Sequence, residues 1–241
     1  MSQQPYDELL AAEAYARTKT GWDPGFIDSR HIGPPIPWDY EALAHEALRL
    51  SRCAIDLGTG GGEVLARIAA GSHFARLIAT EAWAPNARLA HEHLRKQRIP
   101  VVRCANGEGT LPFRGEAFDL VLDRHEALDP AEVDRVLMPG GTLVTQQRTP
   151  DSFPELHRYF DRAVRFPDHY HNYADALREL GYAVEIERHD FETGFASLSE
   201  LVRLLVVAPW HVPDLDVKRD LEPLRRLAAE LSRPGGEIVL R

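Results

Sequence analysis

From residue 50 onward, short apolar runs alternate with amphipathic stretches. Runs of about five apolar residues bounded by Gly, Pro or Asp read as buried strands, and apolar positions three and four apart read as helices. The pattern predicts strands over 53–57, 76–80, 100–104, 118–122, 142–147, 183–188 and, briefly, 237–240. Helices are predicted between them over 63–70, 84–97, 131–137, 155–164 and 173–180. Parallel strands need crossover connections, usually helical, so this alternation predicts an α/β fold with a doubly wound, mostly parallel seven-stranded sheet. Two regions fall outside the alternation. The first holds a helix over 7–19, a proline- and glycine-rich stretch over 21–37 and a helix over 39–50; the second runs through 197–207, 208–213 and 218–231. Ligands of open α/β sheets bind beyond the carboxyl ends of the strands. These regions are therefore expected to be N-terminal and C-terminal helical lid segments: a cap over 1–50, and a lid-like helical insertion at about 192–232 within a main domain over 51–241.

The first strand runs into the loop Asp56-Leu57-Gly58-Thr59-Gly60-Gly61-Gly62-Glu63. Glycines in such a turn allow close backbone approach to a ligand, and the helix start that follows offers unpaired N–H groups. The dinucleotide pattern G-x-G-x-x-G would need glycine where Glu63 stands, and no Gly-Lys-Ser/Thr follows to make a phosphate loop. Asp-x-Gly-x-Gly-x-Gly resembles the class I S-adenosylmethionine-dependent methyltransferases. An acidic residue ending the second strand, about 20 residues on, would grip ribose hydroxyls, and Glu81 stands there, followed by Ala82.

Three further motifs follow in the order the resemblance requires. Asn106, Gly107 and Glu108 precede Leu111-Pro112-Phe113, where the family places a polar side chain against the adenine amino group; Asn106 takes the usual aspartate position, with Glu108 as competitor. Phe118 to Ala127 resembles the fourth strand and its loop, with Asp123 and Arg124 at the cofactor, and Asp134 to Leu143 resembles the helix, Pro-Gly-Gly turn and fifth strand. The Asp-Arg-His-Glu loop and the Pro-Trp-His-Val-Pro-Asp segment are similar to bacterial methyltransferases with the type 11 domain. The resemblance implies a main domain that binds S-adenosylmethionine through Asp56, Gly58, Thr59, Gly60, Gly62, Glu81, Ala82, Asn106, Gly107, Glu108, Asp123 and Arg124, and that releases S-adenosylhomocysteine.

Methyl transfer needs alignment, and a base only where the acceptor must lose a proton. His125, just past the fourth strand, is the candidate catalytic base, since an imidazole titrates near neutrality. The alternative is a packing or turn-capping role, with Arg124 and Glu126 as an ion pair. Tyr15, Trp22, His31, His125, Gln147 and Trp210 are the candidate acceptor-binding residues; Trp38 and Trp210 could equally anchor a lid. The Pro-Gly-Gly turn is expected to end a helix and start a strand. His169 and His171, with the carboxylate of Asp168 nearby, have metal-like spacing but no third ligand at a recognisable spacing, and Asn172 suits a helix N-cap, so no metal is expected.

Charge changes the picture of the partner. Lys+Arg 28 against Asp+Glu 37 leaves -9, which disfavours a phosphate backbone and makes nucleic acid an unlikely acceptor. Two cysteines, Cys53 and Cys104, in apolar surroundings suit a reducing compartment. No export signal and no membrane-length apolar run is seen, so a cytoplasmic location is expected. The function expected is methylation of an O or N atom of a small metabolite. The alternatives are an RNA or protein methyltransferase and a non-catalytic S-adenosylmethionine-binding protein.

Overall fold

The computed structural model describes residues 5–20, 24–106, 109–150, 152–165 and 169–241. The chain opens with α1 (Tyr6–Ala16), β1 (Ser29–Ile32) and α2 (Tyr40–Leu50). It then alternates β2 (Cys53–Leu57), α3 (Glu63–Ile68), β3 (Arg76–Thr80), α4 (Ala84–Leu94), β4 (Val101–Val102), β5 (Phe118–Arg124), α5 (Pro130–Val136) and β6 (Leu137–Gln146). The remainder supplies α6 (His169–Glu179), β7 (Glu192–Phe195), α7 (Leu198–Val207), α8 (Leu221–Leu231) and β8 (Ile238–Leu240).

Five strands form the main sheet in the order β4-β3-β2-β5-β6, all parallel. Central β2 is buried on both faces, with Ala54 and Ile55 fully enclosed, as strands between helical layers require. Its start is held by Asp119 of β5, whose carboxylate accepts from the N–H groups of Arg52 at 2.8 Å and Cys53 at 3.0 Å. The helix caps follow local sequence: Asp39 accepts from Ala42 N–H at 3.1 Å, and Asp129 from Ala131 N–H at 2.9 Å.

Among the described residues this sheet has five strands, not the expected seven. Residues 183–188 form no strand. Their apolar positions alternate, but Ile186 is 44% exposed, and a half-polar segment makes a poor member of a sheet covered on both faces. Instead, 180–185 flank β6 across a cleft of about 1230 Å³. The strand expected over 100–104 contracts to Val101–Val102, and the helix expected over 155–164 to a 3₁₀ turn, Pro154–Arg158, which suffices to bury Leu156. Pro139-Gly140-Gly141 does not separate helix from strand. It lies inside β6 as an irregularity, because Leu137 already pairs with Phe118 before Thr142 resumes the ladder opposite Leu120. Helix α6 begins at His169, which places Asn172 within its first turn and not at its N-cap.

A second, antiparallel sheet has the order β1-β7-β8 and draws on both ends of the chain. Its core joins Leu9 and Ala12 of α1 with Leu201, Val202 and Leu205 of α7 and Leu224 and Leu227 of α8. Several polar groups at this junction are paired. Glu13 binds Arg17 at 2.6 Å and accepts from Val217 N–H at 3.2 Å; Arg162 bonds Asp220 at 2.5 Å and the Pro213 carbonyl at 2.7 Å. The expected lid regions thus form one unit containing strands as well as helices. Helix α2 instead packs Tyr40, Ala44 and Leu48 into the core of the parallel sheet.

Candidate active site

The turn between β2 and α3 brings Gly58, Gly60 and Gly62 together in left-handed conformations, with φ of +63°, +62° and +83°. A methyl group on Gly58 would collide with the Glu126 side chain, and one on Gly62 would sit 3.1 Å from the Ala90 backbone of α4. Beneath the turn, the Thr80 hydroxyl accepts from Gly58 N–H at 3.2 Å and donates to Asn106 Oδ1 at 2.8 Å. Glu81 closes the arrangement: its carboxylate accepts from Gly60 N–H at 2.8 Å and Trp83 N–H at 2.7 Å. Each Glu81 oxygen retains acceptor capacity for hydroxyl groups.

Asn106 is 2% exposed and buttresses the turn. Its oxygen accepts from Thr80, while the amide nitrogen is buried without a partner among the described residues. The group without a partner is a donor, while the oxygen keeps a second lone pair of the kind an adenine amino group would use.

Four carboxylates converge here. Burial pushes Asp56 up to about 7, with Glu81 adding to the shift and the Thr59 hydroxyl opposing it. Burial likewise raises Asp123 well above the carboxylate range, against the Glu126 N–H that bonds Asp123 Oδ1 at 3.2 Å. Glu81 and Glu126 are also raised, burial leading in both. Such a group of acids is relieved by a cationic ligand. The sulfonium and ammonium of S-adenosylmethionine fit that demand.

Beyond β5 and β6 the character changes. His125 has left-handed backbone, φ +67°, and its N–H bonds the Gln146 carbonyl at 2.8 Å. Gln146 bridges two rings: Trp38 Nε1 donates to its oxygen at 3.1 Å, and its nitrogen lies 3.1 Å from His125 Nε2. An indole N–H can only donate, so the amide nitrogen faces His125, whose Nε2 must accept and whose Nδ1 carries the hydrogen. Desolvation, followed by the charges of Arg124 and Arg148, pushes the imidazole down to about 3, although the side chain keeps a solvent-facing surface. Its basic lone pair is thus occupied and weakly basic; what it presents is a donor. Gln147 donates to the Glu126 carbonyl at 3.1 Å, so both glutamines support this loop.

The other expected acceptor residues do not all gather there. Tyr15 packs on Phe26, Lys19 and Arg203 at the outer face of the antiparallel unit. His31 stacks on His189 with ring centres 5.9 Å apart, and His189 touches the edge of Trp38, which connects this wall to Gln146. Trp210 lies against His211, whose ring in turn meets Phe153. Ala82 is exposed and its carbonyl accepts from Arg103 at 3.3 Å. Arg124 approaches Glu41 at 3.9 Å and covers the Tyr40 ring. Trp22, Gly107, Glu108 and Asp168 lie outside the described residues. Sequence reasoning passed over Trp38 as an orienting group and Arg148 entirely; the available signal for Arg148 was its position just past the last parallel strand.

Residues 55–145 match the methyltransferase domain family. A 23S rRNA (guanine(748)-N(1))-methyltransferase from Streptomyces fradiae is 31% identical over 136 residues, which cover 54% of this chain and 46% of that protein. The chain thus spans about half the length of this curated relative. Among solved structures, a provisionally assigned methyltransferase from Bacillus halodurans C-125 superposes with a TM-score of 0.60 at 17% identity, covering 83% of this chain and 93% of that one. A functionally unknown protein from Deinococcus radiodurans R1 gives 0.56 at 16% identity, covering 96% and 97%. No helix among the described residues is long and apolar enough to cross a membrane.

Proposed function

We propose that this chain, which carries a class I S-adenosylmethionine-dependent methyltransferase domain, methylates an oxygen or nitrogen atom of a small metabolite. The observation that supports the reading best is the division of one strand edge into an acidic half at the glycine turn and a hydrogen-bonded group of Trp38, Gln146 and His125. Bound S-adenosylmethionine supplies an electrophilic methyl group. Gly58, Gly60 and Glu81 would hold it: glycine backbone by close approach, Glu81 by accepting from hydroxyls. The acceptor lone pair forms the new bond to carbon while the electron pair of the broken carbon–sulfur bond stays on sulfur. His125 donates from Nδ1 to orient the acceptor, and the acceptor's proton leaves to water, since the imidazole is too weak a base to retain it.

The likeness to an rRNA methyltransferase favours RNA as a second reading, against which the net charge of -9 weighs. The two separate cleanly when S-adenosylhomocysteine formation is followed with a small-molecule extract and with total RNA as alternative acceptors. Turnover with the extract alone supports a metabolite; turnover with RNA alone overturns it.

A further inference from the structure

Arg148 lies two residues beyond β6, at the same edge as His125. Its Nη2 bonds Ser152 Oγ at 2.6 Å and its guanidinium covers the Phe153 ring at 5.4 Å. No carboxylate among the described residues pairs with it, whereas Arg124, Arg135, Arg162 and Arg203, also partly buried, each have one. Desolvation lowers its pKa without displacing it from the cationic form at neutral pH. The two imidazoles that feel its charge, His125 and His211, are each pushed down to about 3, burial leading, and stay neutral. Arg148 thus places a positive charge just past the carboxyl end of β6, the strand edge that also carries His125. A planar fork with one N–H held by Ser152 keeps donors for a bidentate anion.

We propose that Arg148 anchors an anionic group, a carboxylate or a phosphate, on a small methyl acceptor, an inference that rests on the methyl-transfer reading of this site. A merely structural arginine, packed on Phe153 and tied to Ser152, would ignore such ligands.

Benzoate, phenyl phosphate and neutral benzamide distinguish the two, titrated by saturation-transfer NMR with and without saturating S-adenosylhomocysteine. Benzoate or phenyl phosphate should bind the wild type and benzamide should not, and the preferred anion identifies the group. Arg148→Gln should weaken anion binding about tenfold to a hundredfold, the loss of charged hydrogen bonds, with Arg148→Lys between. Equal binding by Arg148→Gln, or benzamide binding as tightly as benzoate, overturns the proposal. Should that variant not fold, phenylglyoxal labelling of the wild type mapped by mass spectrometry serves instead: benzoate should protect Arg148, and unprotected labelling counts against the assignment. A ribo-oligonucleotide whose tight binding disappears in Arg148→Gln would replace the small acceptor with RNA. Failure of S-adenosylhomocysteine to bind removes the methyl-transfer reading separately, because the anion titration is run without it as well.

Discussion

Asp56 and Asp220 are both buried carboxylates, 7% and 3% exposed, yet their acidities move in opposite directions. Asp220 belongs to the antiparallel unit. Burial alone would raise it, but Arg162, the Asp216 N–H and Arg219 outweigh burial and leave it lowered. Asp56 belongs to the parallel sheet and feels Glu81, with no cation offsetting burial among the described residues, so burial raises it to about 7. The same contrast holds around each: the antiparallel unit pairs its charges internally, whereas the glycine-turn edge gathers acids that repel one another. A charge that serves folding is satisfied within the protein; a charge that awaits a ligand is left unsatisfied and costs stability until the ligand arrives.

The largest effect is expected where geometry leaves no room. Gly62→Val should lose more than about 3 kcal/mol, since the left-handed backbone and the Ala90 contact at 3.1 Å both resist a branched side chain. Urea titration would show it; a loss below about 1 kcal/mol would mean that α3 and α4 are packed less tightly than described. Asp220→Ala should cost about 2 kcal/mol by stripping Arg162 and the Asp216 N–H of their acceptor, with cofactor affinity unchanged. A parallel loss of affinity would break the separation of the two units.

Asp56 makes a pH signature. Its folded value near 7 exceeds the ordinary 3.8, so the folded state holds more protons between those values. Its contribution to stability is present below about 3.8 and is lost as pH rises through about 7, at no more than about 1.4 kcal/mol per pH unit. Asp56→Asn should flatten that decline and raise the melting temperature of the ligand-free protein at pH 8 while weakening cofactor binding. A lower melting temperature at pH 8 would place Asp56 among the satisfied charges. The smallest effect concerns His125. A neutral donor predicts about a tenfold loss of turnover in His125→Ala, and a rate with no histidine inflection between pH 5 and 8. An inflection near 6.5 would restore the imidazole as a base.

The two units also differ in how far they could be read from the chain. Strands 53–57 and 76–80 are found at the expected residues because each is a short apolar run with its crossover helix close by, which sets Gly58 and Glu81 just past their carboxyl ends. The antiparallel sheet is another matter. Its pairs Arg30 with Gly194 and Gly194 with Val239 join distant segments, and no local period announces them. Residues 183–188 misled because alternation cannot tell a paired strand from an exposed extended segment. Polarity at the site was equally hidden. That Asn106 offers a donor, and that His125 is oriented through Gln146 by Trp38, depends on which neighbour takes each oxygen, a fact of packing and not of spacing.

The central claim is that the acids at the glycine turn await a cationic cofactor held by Glu81. Titration calorimetry of S-adenosylhomocysteine against the wild type and Glu81→Ala tests it directly. Binding at about micromolar affinity by the wild type, weakened about tenfold to a hundredfold in the variant, is the predicted result. A wild type that ignores S-adenosylhomocysteine, or a variant that binds it equally well, would contradict the account.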